Sequence, residues 1–127
     1  MILTQLLPYT TEELTTFYLL ESVDNWQVQQ STAFKRGFKK YRNDKRVMNS
    51  FKILMDHIKQ YPRIPPMSEY PVEFNVHHIK RDSRFPGSIW AHLKGQQIGV
   101  LFYIVREGQT NTVKLVHLGT HQDLGWS

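Results

Sequence analysis

Two stretches in the middle of the chain place apolar residues at helical spacing. In the first, Phe34, Phe38 and Tyr41 fall on one face of a helix, and Ser31 is a suitable N-cap residue. The basic residues between them lie off this apolar stripe. The pattern therefore predicts an amphipathic helix.

The second stretch begins after Asn43 and Asp44, which interrupt the first helix. Its apolar residues repeat at spacings of four, three and four and are Val47, Phe51, Leu54 and Ile58. The helix is expected to end at Tyr61, because the residue before Pro62 is disfavoured in the helical conformation. Together the two helices are predicted to form a helical hairpin.

A third helix is predicted near the N-terminus. Thr10 and Glu13 have the spacing of a capping box, so a helix from about Thr11 to about Ser22 is expected. Residues 1–24 would then form a helical extension to the rest of the domain.

The remaining patterns are typical of strands. "NWQVQQ" alternates before the hairpin, and the proline-rich "PRIPPMSEYP" follows it as a rigid loop. Beyond the loop, "SIWAHLKG" and "NTVKLVHLG" alternate, while "QQIGVLFYIVREG" has the continuous apolar run of a strand buried on both faces. The order predicts one α+β domain over residues 1–127: an antiparallel sheet with the helical hairpin on one face and an extra N-terminal helix.

Composition narrows the possible functions. The 127 residues include no cysteine, so disulfide scaffolds and thiolate metal sites are excluded, and a reducing cytoplasm is the expected setting. No apolar run is long enough to span a membrane, and none has the form of a secretion signal.

The charge is basic and concentrated. The formal net charge is +5. Seven of the sixteen Lys and Arg residues lie within "KRGFKKYRNDKR", namely Lys35, Arg36, Lys39, Lys40, Arg42, Lys45 and Arg46. Such a cluster is suited to a phosphate backbone or an acidic protein, although a solvated helix face has the same composition.

Because the chain has no cysteine, its six histidines are the side chains able to transfer protons near neutral pH. Five of the six lie in the C-terminal half, with the predicted sheet. On strand parity, His92 points to the side that Trp90 lines, where it has a structural or a catalytic role. His121 follows Gly119 just past the end of the last strand, where an exposed side chain has a rigid support.

Other groups lie near these histidines in the sequence. Asp123 is placed to orient the His121 imidazole or to hold a proton, and Trp126 offers either a stacking face for a base or a hydrophobic plug. Arg81 and Arg84, in "HHIKRDSRFPG", are candidates for neutralising a phosphate.

The C-terminal stretch "VKLVHLGTHQDLGW" resembles the last strand of the RelE/ParE superfamily of bacterial toxins, and most closely its YafQ-like branch. In that branch the strand ends in Gly-Thr-His, a short spacer, then Leu and an aromatic residue. The order of elements agrees over roughly residues 25–127. The resemblance implies a toxin of a toxin–antitoxin system that cleaves mRNA on the ribosome, with an antitoxin as partner and no metal or other cofactor.

The resemblance also implies site residues. The strand-end histidine corresponds to His121, the mid-sheet histidine to His92, and the histidine before the hairpin strand to His77 or His78. The terminal aromatic corresponds to Trp126. The chain departs from the pattern where the branch has a carboxylate after the mid-sheet histidine, because Gln96 and Gln97 stand there. It also departs at the end, where a glycine separates the final leucine from the aromatic.

Three other interpretations remain open from the sequence. A ParE-like toxin would act on DNA gyrase without a histidine constellation, and a relative that had lost catalysis would bind RNA or protein only. A zinc site would use His77, His78, His92 and His121, although the usual ligand spacings are missing.

Overall fold

Six strands form one mixed sheet. The computed structural model describes residues 9–80, 82, 84–85, 87–94 and 97–125. The strands are β1 (Phe17–Val23), β2 (Trp26–Ser31), β3 (His77–His78), β4 (Ile89–His92), β5 (Gly99–Glu107) and β6 (Thr110–Gly119). Their spatial order is β1-β2-β6-β5-β4-β3. Neighbouring strands are antiparallel except for β2 and β6, which run parallel.

Three α-helices accompany the sheet: α1 (Thr11–Thr15), α2 (Thr32–Tyr41) and α3 (Lys45–Lys59). The predicted Ser31 cap is confirmed, since its hydroxyl accepts from the Phe34 amide. At the start of α3 the Asp44 carboxylate accepts from the amides of Arg46 and Val47. Short 3₁₀ turns occur at Met67–Glu69, Val72–Phe74 and Gln122–Leu124. Among the described residues, no helix is long and apolar enough to cross a membrane.

The apolar side chains form two clusters, one on each face of the sheet. The cluster on the helical face joins α2 and α3 to the sheet and includes Phe34, Leu54, Ile58, Val100, Phe102 and Leu115. The cluster on the second face includes Leu14, Ala33, Phe85, Trp90, Leu101, Val116 and Leu124. Alternation along β4 separates the two clusters, because Ile89 and Ala91 join the first and Trp90 the second.

The N-terminal segment differs from the expected helical extension. The capping box is present, but α1 ends at Thr15, and Phe17–Val23 forms an edge strand. Phe17, Tyr18 and Val23 favour a strand, and a two-residue turn with Asp24 at φ 51° pairs β1 with β2. Residues 17–23 therefore extend the sheet, and the prediction of a helix to Ser22 is wrong.

A purely antiparallel sheet had been expected, but the sheet is mixed. β3 to β6 form the predicted antiparallel meander, which brings β6 alongside β2. The long connection through α2 and α3 lets β2 and β6 run in the same direction, as a parallel pair requires. The α+β class stands, with a mixed sheet in place of an antiparallel one.

Helix α2 approaches β6 at Gly37. A β-carbon at this position would lie 2.0 Å from the carbonyl oxygen of Leu118. The glycine therefore sets the spacing between the helix that carries most of the basic cluster and the strand that leads to His121.

We predict that Gly37→Ala destabilises the protein. Alanine gains about 1 kcal/mol of helix propensity, but overpacking against a main-chain oxygen costs up to about 3 kcal/mol, so a net loss of about 2 kcal/mol is expected. Urea unfolding measures the change in the free energy of unfolding. Lys39→Ala, at an exposed site on the same helix, is the control and should change the free energy of unfolding by less than about 0.5 kcal/mol. An unchanged or higher stability of Gly37→Ala would contradict the close packing.

Candidate active site

Two histidines meet on the neighbouring strands β3 and β4. His77 is exposed and pairs in register with Trp90, while His92 is half-buried two residues further along β4. The centroids of the His77 and His92 rings are 5.6 Å apart, with the planes tilted by 39°. His78 pairs in register with Ile89 and has the opposite strand parity to His77. The geometry thus brings His77 to His92.

Both imidazoles contact one main-chain carbonyl. The Nδ1 atoms of His77 and His92 each lie 3.2 Å from the carbonyl oxygen of Asn75. The Nδ1 atom of His92 is also 3.4 Å from the carbonyl oxygen of Phe74. The loop before β3 therefore holds both rings by the same edge.

His121 joins this pair through Trp90. It begins the 3₁₀ turn after β6, and its ring centroid is 4.7 Å from that of Trp90. The Trp90 and His92 centroids are 6.3 Å apart, with perpendicular planes. A β-carbon at Gly99 would lie 2.3 Å from the indole, so the Trp90 ring packs directly on the β5 backbone. The imidazoles of His92 and His121 thus both contact one buried indole, and His77 contacts His92.

Asp123 lies beside His117, which the sequence had not linked to it. Its carboxylate accepts from the Thr120 amide at 3.1 Å and lies 4.0 Å from Nε2 of His117. A β-carbon at Gly119 would meet both Asp123 Oδ2 at 2.6 Å and the His117 ring at 2.9 Å. The absence of a side chain at Gly119 therefore lets Asp123 and His117 approach the backbone closely.

His117 is fully buried on β6, and sequence reasoning gave it no role. Burial lowers the pKa of its imidazole to about 4 from the ordinary 6.5, with the Asp123 charge opposing the shift. The ring is therefore neutral near pH 7, and the carboxylate and imidazole form no ion pair there. The hydrogen bond from Nε2 of His117 to the Thr120 carbonyl, at 3.3 Å, holds the chain just before His121.

The N-terminal segment reaches this end of β6. The Tyr9 ring lies 5.2 Å from that of His117, and the Arg36 guanidinium covers Tyr9 at 4.9 Å. Arg36 also pairs with Glu13 at 2.7 Å. The pKa of Tyr9 is raised by burial and then by the Asp123 charge. Tyr9 thus packs between α2 and the end of β6 that leads to His121.

Arg84 lies between two acceptors. Its Nη2 atom donates to Asp82 at 2.5 Å and to the Leu124 carbonyl at 2.7 Å, and its Nε atom also donates to Asp82. This arrangement ties the loop before β4 to the turn after His121. Arg81, Trp126 and Gln96 lie outside the described residues.

The basic cluster is exposed along α2 and the first turn of α3. All seven predicted residues are exposed: Lys35, Arg36, Lys39, Lys40, Arg42, Lys45 and Arg46. The charge of Lys40 contributes to the lowered pKa of His117, which places this part of α2 near the end of β6. A cationic surface therefore adjoins the side of the site from which His121 emerges.

The chain has the fold of a bacterial toxin. A solved structure described as a YoeB/ParE toxin from Agrobacterium tumefaciens superposes with a TM-score of 0.55, at 12% sequence identity, over 74% of this chain and 97% of that chain. No family model matches the sequence, and no curated protein matches it significantly. At this identity the likeness establishes the fold and leaves the chemistry to the residues.

The zinc interpretation lacks a ligand set within the described part of the chain. There, no group of three or more His, Asp or Glu side chains is arranged to hold a metal ion. His77 and His92 come together, but His78 and His121 do not complete such a group.

Three participants were missed from the sequence as parts of one site: the Trp90 indole as the link between His92 and His121, the Asn75 carbonyl, and His117. Strand parity had placed Trp90 beside His92, and that expectation is confirmed. The contact with His121 depends on β6 and β4 flanking β5, which no local pattern reveals.

We predict that His117 makes the protein sensitive to acid. Its pKa in the folded state lies below that in the unfolded state, so its stabilising contribution is complete above about pH 6.5 and is lost as pH falls to about 4. The loss is roughly 3 kcal/mol. Urea unfolding from pH 8 to pH 4 should give a shallower decline for His117→Leu than for the wild type.

His57 also contributes to the pH dependence of stability, and the comparison of the two proteins removes its contribution. Burial also lowers its pKa, but it is present in both proteins and cancels in the comparison. Parallel stability profiles for the two proteins would contradict the buried, neutral state of His117.

Proposed function

We propose that this protein is the toxin of a toxin–antitoxin pair and acts as an endoribonuclease that cleaves mRNA on the ribosome, in the cytoplasm. The observation that carries the proposal is the series of ring contacts from His77 to His92, from His92 to Trp90, and from Trp90 to His121. A metal-independent phosphodiester cleavage needs two separately positioned proton-transfer groups, and imidazoles are suited to this role.

The proposed reaction is an internal transesterification. A histidine takes the proton of the ribose 2′-hydroxyl, whose oxygen attacks the adjacent phosphorus while the bond to the 5′-oxygen breaks. A second histidine gives a proton to that leaving oxygen, so the products carry a 2′,3′-cyclic phosphate and a 5′-hydroxyl. The His77–His92 pair supplies one of these groups and His121 the other, because the Trp90 ring contacts both His92 and His121.

The roles of the neighbouring groups follow from their contacts. Arg84 holds the His121 turn against the Asp82 loop, which suits a positioning role better than a free phosphate contact. Asp123 acts through Thr120 and His117 on the backbone that leads to His121. Arg81 as the phosphate cation and Trp126 as the stacking face remain proposals from the sequence.

The exposed cations of α2 and α3 are proposed to follow the RNA backbone toward the histidines. The chain's own acids already neutralise part of this region, since Glu13 pairs with Arg36 and Glu21 with Lys59. An antitoxin with an acidic amphipathic segment would use the same charge attraction and cover the site.

We predict that the nuclease depends on His77, His92 and His121 and not on His78. Wild-type protein is incubated with translating ribosomes and mRNA in the presence of EDTA, and cleavage is followed by primer extension. Replacing any of the three histidines by alanine should lower the cleavage rate by about 100-fold or more, because proton transfer contributes about that factor.

His78→Ala is the matched control in that assay. It removes the adjacent imidazole on β3, whose strand parity is opposite to that of His77, and should leave the rate within about threefold of wild type. Intact mRNA with the wild-type protein, or equal loss in His78→Ala and His77→Ala, would overturn the site assignment.

A ParE-like action on DNA gyrase is the second candidate, because the similar solved structure is described as YoeB/ParE. The two functions separate cleanly in vitro. Inhibition of gyrase supercoiling that persists in the His77→Ala, His92→Ala and His121→Ala variants, without mRNA cleavage by the wild type, would favour gyrase.

We predict that the basic cluster contributes salt-dependent affinity for RNA. Removing Lys39 and Arg42 together should reduce the slope of log K against log salt by about 1.4, since each phosphate contact on a single strand contributes about 0.7. Fluorescence anisotropy with a short RNA, using a His121→Ala background to prevent cleavage, measures this slope.

The control removes two exposed cations outside the cluster, Lys52 and Arg63, also by substitution with alanine. Its slope should match that of the parent protein. Equal slopes for all three proteins would mean that residues 35–46 do not contact the RNA backbone.

A further inference from the structure

We propose that the main-chain carbonyl of Asn75 positions the proposed catalytic pair by fixing His77 and His92 as Nδ1–H tautomers, so that the Nε2 atoms of both rings perform the chemistry. The inference rests on the proposed nuclease for its functional meaning. Its structural part, the tautomer of the two rings, is testable without any RNA.

The hydrogen-bond geometry carries the argument. A carbonyl oxygen accepts hydrogen bonds through two lone pairs and donates none. The Asn75 oxygen is 3.2 Å from Nδ1 of His77 and 3.2 Å from Nδ1 of His92. Each Nδ1 must therefore carry the proton, and each neutral ring keeps its lone pair on Nε2.

The backbone at Asn75 explains how one carbonyl reaches two strands. Asn75 ends the 3₁₀ turn Val72–Phe74 with φ 41° and ψ 54°, and its amide donates to the Val72 carbonyl at 3.0 Å. The turn is anchored by Phe74, whose side chain is buried in the helical-face cluster. This left-handed conformation is accessible to asparagine and glycine and strongly disfavoured for β-branched residues.

The hydrogen bonds at Nδ1 determine which nitrogen of each ring can transfer a proton. A ring held at Nδ1 cannot rotate to present that atom to substrate, so Nε2 is the only nitrogen available for proton transfer. Both rings contact the Asn75 oxygen, and the Phe74 carbonyl, 3.4 Å from Nδ1 of His92, favours the same tautomer of that ring. Asn75 is thus a positioning residue that acts through its main chain, and its side chain has no part in the argument.

His78 provides the comparison within the same strand. It is exposed next to His77, and its ring makes no hydrogen bond to any residue that the structure describes. Its tautomer is therefore not locked. A measurement that resolves all three rings separates the effect of the Asn75 carbonyl from the general behaviour of histidines on β3.

The experiment is long-range ¹H–¹⁵N NMR of the whole protein, at a pH where the rings are neutral. Assignments come from His77→Gln, His78→Gln and His92→Gln. We expect His77 and His92 to show a protonated Nδ1 and an unprotonated Nε2. Either ring in the Nε2–H form in the wild type would overturn the proposal.

Two substitutions then test the backbone. Asn75→Gly keeps the left-handed conformation and should preserve both tautomers, with kcat for mRNA cleavage within about twofold of wild type. Asn75→Val disfavours that conformation and should release the tautomers and lower kcat by about 10- to 100-fold with little change in KM. Loss of the Nδ1–H form in Asn75→Gly, or its retention with full activity in a folded Asn75→Val, would also overturn it.

The two proposals fail in different ways. If the wild-type protein shows Nδ1–H tautomers but cleaves no RNA, the nuclease proposal is wrong, while the assignment of the tautomers to the Asn75 carbonyl stands. Cleavage by a protein whose two rings are in the Nε2–H form would remove the positioning role alone. If Asn75→Val does not fold, the wild-type spectrum and Asn75→Gly still decide the question.

Discussion

The packing of the Trp90 indole on the bare backbone of Gly99 is the contact on which the site depends. Any side chain at Gly99 would occupy the space of the indole ring, and the indole is the ring that contacts both His92 and His121. Trp90 is completely buried, so its position is set by the close packing of the second face. His92 and His121 therefore pack on a ring of fixed position, and both remain partly exposed.

The N-terminal residues belong to the same arrangement. Tyr9 packs on His117, Arg36 covers Tyr9, and Glu13 pairs with Arg36, so α1 is joined to both α2 and the end of β6. The segment thus braces the turn that presents His121, and it introduces negative charge beside the basic cluster. Strand β1 adds an edge to the sheet and contributes Glu21, which pairs with Lys59 of α3.

Local signals were predictable from sequence, and long-range ones were not. The Ser31 cap, the break at Asn43 and Asp44, the helices α2 and α3 and the C-terminal meander follow from patterns within a few residues. The end of α1 was missed because a capping box marks where a helix begins and says nothing about its length. The parallel pairing of β2 with β6, the choice of His77 over His78 and the contact of His121 with Trp90 all depend on strand order and register. The role of the Asn75 carbonyl could not be predicted, because a main-chain group is present at every residue and no side-chain pattern marks it.

The central claim is that these histidines cleave RNA by using its own 2′-hydroxyl. The most direct measurement compares a ribosome-bound mRNA with the same mRNA carrying a single 2′-deoxynucleotide on the 5′ side of the mapped cleavage point, both in EDTA. The account predicts 2′,3′-cyclic phosphate and 5′-hydroxyl ends from the first and no cleavage at that point in the second. Cleavage through the deoxy position, or products with 3′-hydroxyl and 5′-phosphate ends, would contradict it.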